Sequence, residues 1–180
     1  MSQMLVTATA DGQSMPVEER KQLLRFTLCD ALYALPIAPI REILQVCRMT
    51  QVPMMPPFVK GVMNLRGSVV PVLDLGLRLG LGGTTVGRRT CIVIVETLMP
   101  DGTSHRHGVL VDAVHDVLDV DAATVNAVPP LGTRVAPHFI AGLIRVQDQS
   151  VELLDVSRVF DDDELARLLA SPSEHSLWLH

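Results

Sequence analysis

The sequence is poor in aromatic side chains, with four Phe, one Tyr and one Trp in 180 residues. Since 48% of the chain is nevertheless apolar, a core has to be assembled from Val, Leu, Ile and Met. A basic run is missing too. The net charge is −5, and beyond the N-terminal leader Arg88-Arg89 is the one adjacent basic pair. Sustained nucleic-acid binding calls for a basic face and stacking platforms, so neither DNA nor RNA is an expected partner. No apolar run is long enough to span a bilayer, and the N-terminus has neither a basic region nor an apolar stretch of the signal-peptide kind. The expectation is a soluble, intracellular protein without direct membrane insertion. Cysteines are few, odd in number and far apart: Cys29, Cys47 and Cys91. They read as buried free thiols in a reducing compartment, with no disulfide framework and no metal site.

Catalytic signatures are missing as well. Gly82–Arg89 is a near miss to a phosphate-binding loop, but Arg88 and Arg89 stand where Lys and Ser/Thr are needed. The six His show no ligand spacing. His105 and His107 are placed on a loop, and His115 and His138 lack partners at metal-site intervals. Ser68, between Gly67 and Val69, has no nucleophile-elbow context. With no catalytic, cofactor or metal constellation, a non-enzymatic binding module is the leading expectation. A ligand-binding or enzymatic β-barrel using an inter-subdomain cleft is the alternative from another class.

What the chain does have is twelve Gly and twelve Pro spread along its length, which favours short elements and many turns. Residues 1–21 read as a flexible leader, with a helical turn possible at 17–22. Strands are predicted at 23–28, 31–37, 40–46, 61–65, 69–75, 91–96, 107–114 continuing through 114–120, 139–146 and 150–156. Pro36 and Pro39 should end the second strand early or hold it at an edge. Residues 52–58 and 121–137 are Pro-containing connectors, and 76–90 is a Gly-rich one that begins with one helical turn. Asp161–Ala170 reads as a helix, because its acidic start suits a helix N-terminus and its Leu residues share one face. A tail at 171–180 follows, with Leu177 and Trp178 as candidate docking residues.

The chain also repeats itself. At an offset of 81, Pro56, Phe58, Gly61, Val70, Leu73 and Asp74 fall on Pro137, Phe139, Gly142, Val151, Leu154 and Asp155. At an offset of 74, Ile40–Val46 falls on Val114–Val120, with Glu42 over Asp116. Asp74 and Asp155 recur and so read as caps of the turn after each hairpin. What does not recur is the hairpin tip, Asn64-Leu65-Arg66-Gly67. A lone guanidinium in so apolar a hairpin needs a partner or water, and divergence confined to a tip marks it as functional. Two small β-barrels, which leave no open sheet edge, are the predicted architecture.

The segment from Pro56 to Leu75, PPFVKGVMNLRGSVVPVLDL, resembles the signature of the CheW-like proteins, adaptors of bacterial chemosensory arrays. The resemblance extends over about residues 22–160. It implies an all-β fold of two five-stranded barrel subdomains and a single domain over 22–170. The first barrel is expected mostly at about 31–80, the second mostly at about 91–156, and the helix at 161–170. It further implies a non-catalytic cytoplasmic adaptor at membrane receptor arrays. Its partners would be the cytoplasmic hairpin tip of a chemoreceptor and the regulatory domain of a histidine kinase. No cofactor or metal is implied, and the output is flagellar chemotaxis or, alternatively, surface motility or biofilm signalling. By the same resemblance Arg66 and Glu42 are expected to form an ion pair on the receptor-binding surface. Ile40 is placed on the face of Glu42, with Val62, Asn64 and Gly67 completing the patch. No kinase-binding residue is assigned.

Overall fold

The computed structural model describes residues 19–160. The described chain forms ten strands: β1 (Arg20–Leu28), β2 (Ala31–Pro36), β3 (Ile40–Gln45), β4 (Val59–Leu65), β5 (Ser68–Asp74), β6 (Cys91–Leu98), β7 (Ser104–Val111), β8 (Ala113–Asp121), β9 (Ile140–Val146) and β10 (Gln149–Leu154). Two four-residue helices, α1 (Leu75–Arg78) and α2 (Val156–Val159), follow β5 and β10. The strands make two five-stranded sheets, β8-β1-β2-β10-β9 and β3-β6-β7-β5-β4, so the fold is all-β as expected.

The two sheet orders are one order, with each strand exchanged for its counterpart five strands away. The repeat is therefore β1–β5 and β6–β10, yet neither copy makes its own sheet. Each sheet takes three strands from one copy and the leading hairpin of the other. This corrects the sequence-based division into one barrel near 31–80 and another near 91–156: β2 sits with β8–β10, and β6 and β7 sit with β3–β5. The reason lies in the exchanged hairpins, which are apolar on both faces. In β6, Val93 and Val95 face the core shared by the two sheets, while Ile92 and Ile94 face the core inside their own sheet. In β1 and β2, Leu24, Phe26, Tyr33 and Leu35 face the shared core, and Leu23 and Ala34 face the other way. Such strands are stable only when covered on both sides, and the exchange puts both hairpins in the middle of the molecule.

Each sheet curls until the connector beyond its edge strand reaches the opposite edge. Thr50 and Val62 exchange two backbone hydrogen bonds of 2.8 Å; Asn126 and Leu143 make the equivalent pair at 2.8 and 2.9 Å. The recurring glycines are explained there. A Cβ on Gly61 would lie 2.5 Å from the Thr50 carbonyl oxygen, and one on Gly142 would lie 2.4 Å from Val125 Cγ1. The recurring aspartates cap the two helices: Asp74 accepts from Leu77 N, and Asp155 from Ser157 N and Arg158 N. Between the two copies, the Arg78 guanidinium stacks over both Phe58 and Phe139, 5.3 and 5.0 Å from the ring centres.

Several local expectations change. The first strand begins at Arg20, where a leader or a helical turn at 17–22 was expected, because Arg20–Gln22 pair with Asp119–Asp121. His107 is not on a loop: β7 starts at Ser104, and the His107 ring is buried. Residues 107–120 are not one continuous strand. At Asp112, whose N–H donates to the Thr27 carbonyl, the chain passes from one sheet to the other. The thiols are free, but Cys47 is exposed and Cys29 and Cys91 are half-buried. The expected helix at 161–170, the tail and residues 1–18 lie outside the described residues. Among the described residues no helix is long and apolar enough to cross a membrane.

Candidate functional site

Strands β4 and β5 are joined by a two-residue turn in which Arg66 and Gly67 both have positive φ, 51° and 84°. That is the mirror-image turn whose twist matches paired strands. Asn64 stabilises it by accepting the Gly67 N–H at 2.9 Å. Asn64 and Gly67 thus shape the tip. Arg66 is left to project from it, and its guanidinium meets Glu42 on β3 through two parallel hydrogen bonds of 2.6 and 3.0 Å. The Arg66 side chain is 73% exposed and that of Glu42 23%. A pair so open to water contributes at most about 1 kcal/mol. Its effect is to hold a planar, forked donor in one orientation at the surface.

The structure therefore brings Glu42 and Arg66 together and puts Asn64 and Gly67 beneath them. Ile40 does not join them. A register shift separates it from Glu42, and it packs against the shared core. Val62 is a core residue, 8% exposed. Two exposed apolar residues close in the chain were not singled out from sequence: Ile43 on β3 and Val69 on β5, 43% and 46% exposed. Both sit in apolar strand runs whose burial a sequence does not reveal.

The second copy shows why only one tip carries an arginine. Glu42 lies opposite Ile94 in the neighbouring strand, which offers it no charge. Asp116, its counterpart, lies opposite Arg25 and accepts from it at 2.8 and 3.0 Å. Its tip, Gln147-Asp148, needs no cation. Arg25 was invisible as a partner because the hairpin exchange that brings it to β8 is a tertiary event.

A second charged cluster spans β3, β6 and β7. Arg41 donates to Glu96, Ser104 donates to it as well, and Arg106 lies 3.6 Å away. The Arg41 hydrogen bond, with help from Ser104, holds the Glu96 carboxyl below its usual range. Glu96 also lines a groove of about 920 Å³ between the two sheets. Burial also perturbs groups elsewhere, among them buried Tyr33 and His107 and half-buried Glu152. Burial pushes Tyr33 up to about 12 and raises Glu152, and it lowers His107 to about 4. None of the three lines the groove. Among the described residues no group of three His, Cys, Asp or Glu could hold a metal ion.

Comparison with known proteins gives consistent results. A family model described as CheW-like domain matches residues 22–164. The chemotaxis protein CheW of Klebsiella aerogenes is 27% identical over 146 residues, covering 81% of this chain and 85% of that protein. Protein FrzA of Myxococcus xanthus is 29% identical over 136 residues, covering 74% of this chain and 81% of its own length. The crystal structure of scaffolding protein TtCheW from Thermoanaerobacter tengcongensis is similar with a TM-score of 0.72 at 30% identity, covering 83% of this chain and 94% of that one.

Proposed function

This chain belongs to the CheW-like domain family, and from that premise we propose that it is a non-catalytic adaptor coupling a chemoreceptor to a chemotaxis-type histidine kinase. The observation that carries the reading is the Glu42–Arg66 pair. It stands on a hairpin tip whose counterpart in the repeat, Gln147-Asp148, carries no arginine, and it is exposed and fixed in direction. A guanidinium already held by one carboxylate keeps N–H donors and a flat face for a partner without losing much side-chain freedom on binding. On this reading the receptor contacts this tip, whose shape Asn64 and Gly67 set. The relatives named for chemotaxis and scaffolding support the same role. The protein would work in the cytoplasm, at membrane receptor arrays, through protein contacts alone.

The test is reconstitution with a receptor cytoplasmic fragment and a kinase carrying its regulatory domain. The expected result is that the chain binds each partner and that receptor control of the kinase needs all three. Arg66→Ala is expected to weaken receptor capture at least tenfold while leaving kinase capture unchanged. Failure to bind either partner would sink the proposal. Which receptor is captured from the native host also decides whether the output is flagellar chemotaxis or another chemosensory pathway.

A further inference from the structure

The internal repeat gives the groove between the two sheets a twin. Leu154, Asp155, Val156 and Ser157 line the groove, which has a volume of about 920 Å³. Their counterparts at the 81-residue offset are Leu73, Asp74, Leu75 and Gly76. Leu98, also in the lining, corresponds to Cys29. Phe26 and Val95 fix that match, since they pair with Val114 and Ile40, which are 74 apart. The twin recess is not open, because the Gly-rich connector after α1 lies in it. Leu81 packs against the shared core, and the Gly82 carbonyl oxygen lies 3.8 Å from the Cys29 Sγ. In the groove, by contrast, Leu98 is 77% exposed.

One residue in each copy accounts for the difference. A Cβ on Gly76 would lie 2.3 Å from the Gly82 carbonyl oxygen, so glycine is needed to admit the connector along this path. Ser157, its counterpart, carries that Cβ. The carboxylates are satisfied to match. Asp74 is fully buried and accepts from the Thr84 N–H at 2.8 Å and the Thr84 hydroxyl at 3.1 Å, with Lys60 Nζ 3.7 Å away. Asp155 accepts a hydroxyl from Ser157, on its own helix. Lifting the connector would strip two hydrogen bonds from a buried carboxylate, whereas the Asp155 cap stands without one. We propose that residues 80–90 form a latched strap over a latent second groove, with Gly76 as its seat and Thr84 on Asp74 as its latch, and that Ser157 keeps the first groove open. An unlatched molecule would present two equivalent recesses in place of one. Neither the strap nor the latent groove depends on the adaptor reading.

Cys29 reports on the strap, because its thiol sits against the Gly82 carbonyl. Burial, and then the nearby carboxylates of Asp112 and Asp74, raise that thiol above its ordinary value, which slows alkylation while the strap is seated. The test is iodoacetamide labelling of the full-length chain, resolved residue by residue by mass spectrometry. Cys47 is exposed and serves as the reference thiol. A Leu98→Cys variant places a thiol at the equivalent point of the open groove and sets the rate of an uncovered recess. Cys29 in the unaltered chain should react at least about tenfold more slowly than that thiol. Gly76→Ser should bring the two rates within about threefold of each other. Thr84→Val removes the latching hydroxyl and should speed Cys29 about threefold, the weight of one hydrogen bond, with Cys47 unchanged. A Cys29 already as fast as the Leu98→Cys thiol overturns the proposal, and so does a rate that neither variant moves. Acceleration that comes with lost amide-exchange protection in β6 and β7 overturns it too, because the strap then opens only with the whole fold. If Gly76→Ser does not fold, Thr84→Val decides.

Discussion

Glu42 and Asp116 hold equivalent places in the repeat, and each binds an arginine by two hydrogen bonds, yet the arginines come from unrelated positions. Arg66 reaches over from a turn and is 73% exposed, whereas Arg25 lies directly across the sheet and is 16% exposed. The second pair is better shielded from water, so its coupling should be larger. Double-mutant cycles on urea unfolding are expected to give under ~1 kcal/mol for Glu42 with Arg66 and about 1–2 kcal/mol for Arg25 with Asp116. Equal couplings would argue that shielding does not separate them. Tyr33 and His107 form another equivalent pair, since Ala34 and Gly108 face Leu153 and Val72, which are 81 apart. Both are buried, and among the described residues the Tyr33 hydroxyl and both His107 nitrogens have no hydrogen-bond partner. His107 stacks on Phe160 with ring centres 5.0 Å apart. Burial, and then the nearby His105, lower it to about 4 from an unperturbed 6.5. The unfolded chain therefore takes up a proton first as the pH falls, and stability drops between about 6.5 and 4 while staying flat above 6.5. Between pH 7 and pH 5 the loss from this one group is about 2 kcal/mol. A His107→Leu variant should lose that part of the slope, measured by urea titrations at the two pH values.

The hairpins and their capped ends are the elements that repeat, and their glycines and aspartates are matched by contact. The turns at Cys29-Asp30, Arg66-Gly67 and Gln147-Asp148 all have two successive residues at positive φ, though only one contains glycine. Strand twist dictates that backbone, and the sequence meets it with Asp or Gly at the second position. The closure glycines are less forgiving. Gly61 has φ of +153° and the carbonyl oxygen of Thr50 in the way, so Gly61→Ala should cost at least about 3 kcal/mol. At Gly142 the nearest obstacle is a Val125 methyl, which can shift, so Gly142→Ala should cost only about 1–2 kcal/mol. Thermal unfolding of the two variants separates them; the reverse order would contradict closure at Thr50. The caps differ in the same sense. Asp74 is fully buried and also accepts from the Thr84 N–H and hydroxyl, whereas the side chain of Asp155 bonds, among the described residues, to Ser157 and Arg158 of its own helix. The Gly-rich connector after α1 is thus tied to the cap, a structural use for a stretch that only resembled a phosphate loop.

At the scale of the whole molecule, the two copies are locked by their exchanged hairpins and by one side chain near the junction. Arg78 follows the first hairpin, stacks on one Phe from each copy, and donates its Nε–H to the Val159 carbonyl at 3.0 Å. Two cation–π contacts and a charged hydrogen bond, partly shielded, amount to about 2–3 kcal/mol. Arg78→Ala is expected to lower stability by about that much, and Arg78→Lys by less. Phe58→Leu and Phe139→Leu should each cost less in the Arg78→Ala background than alone. Additive losses, read from urea midpoints, would show that the stack is not a joint clamp. Because the hairpins are exchanged, the two copies cannot separate without breaking β1 from β8, β2 from β10, β6 from β3 and β7 from β5, and cooperative unfolding of residues 19–160 as one unit follows.

Apolar runs too short for helices, regular turn residues and an 81-residue echo were enough to read an all-β fold, a duplicated unit and the capping aspartates, while the Glu42–Arg66 pair was expected from the family resemblance. The first three depend on local periodicity or on positions that can be compared within the chain. The tertiary structure alone decided which hairpin joined which sheet, that His107 and Tyr33 were buried, that Ile40 packed inward and that Asp116 belonged to Arg25. A strand apolar on both faces shows that it must be covered but not by what, because the covering strands lie tens of residues away. Partners across a sheet are set by register between distant segments, and that register exists only once the chain has closed on itself.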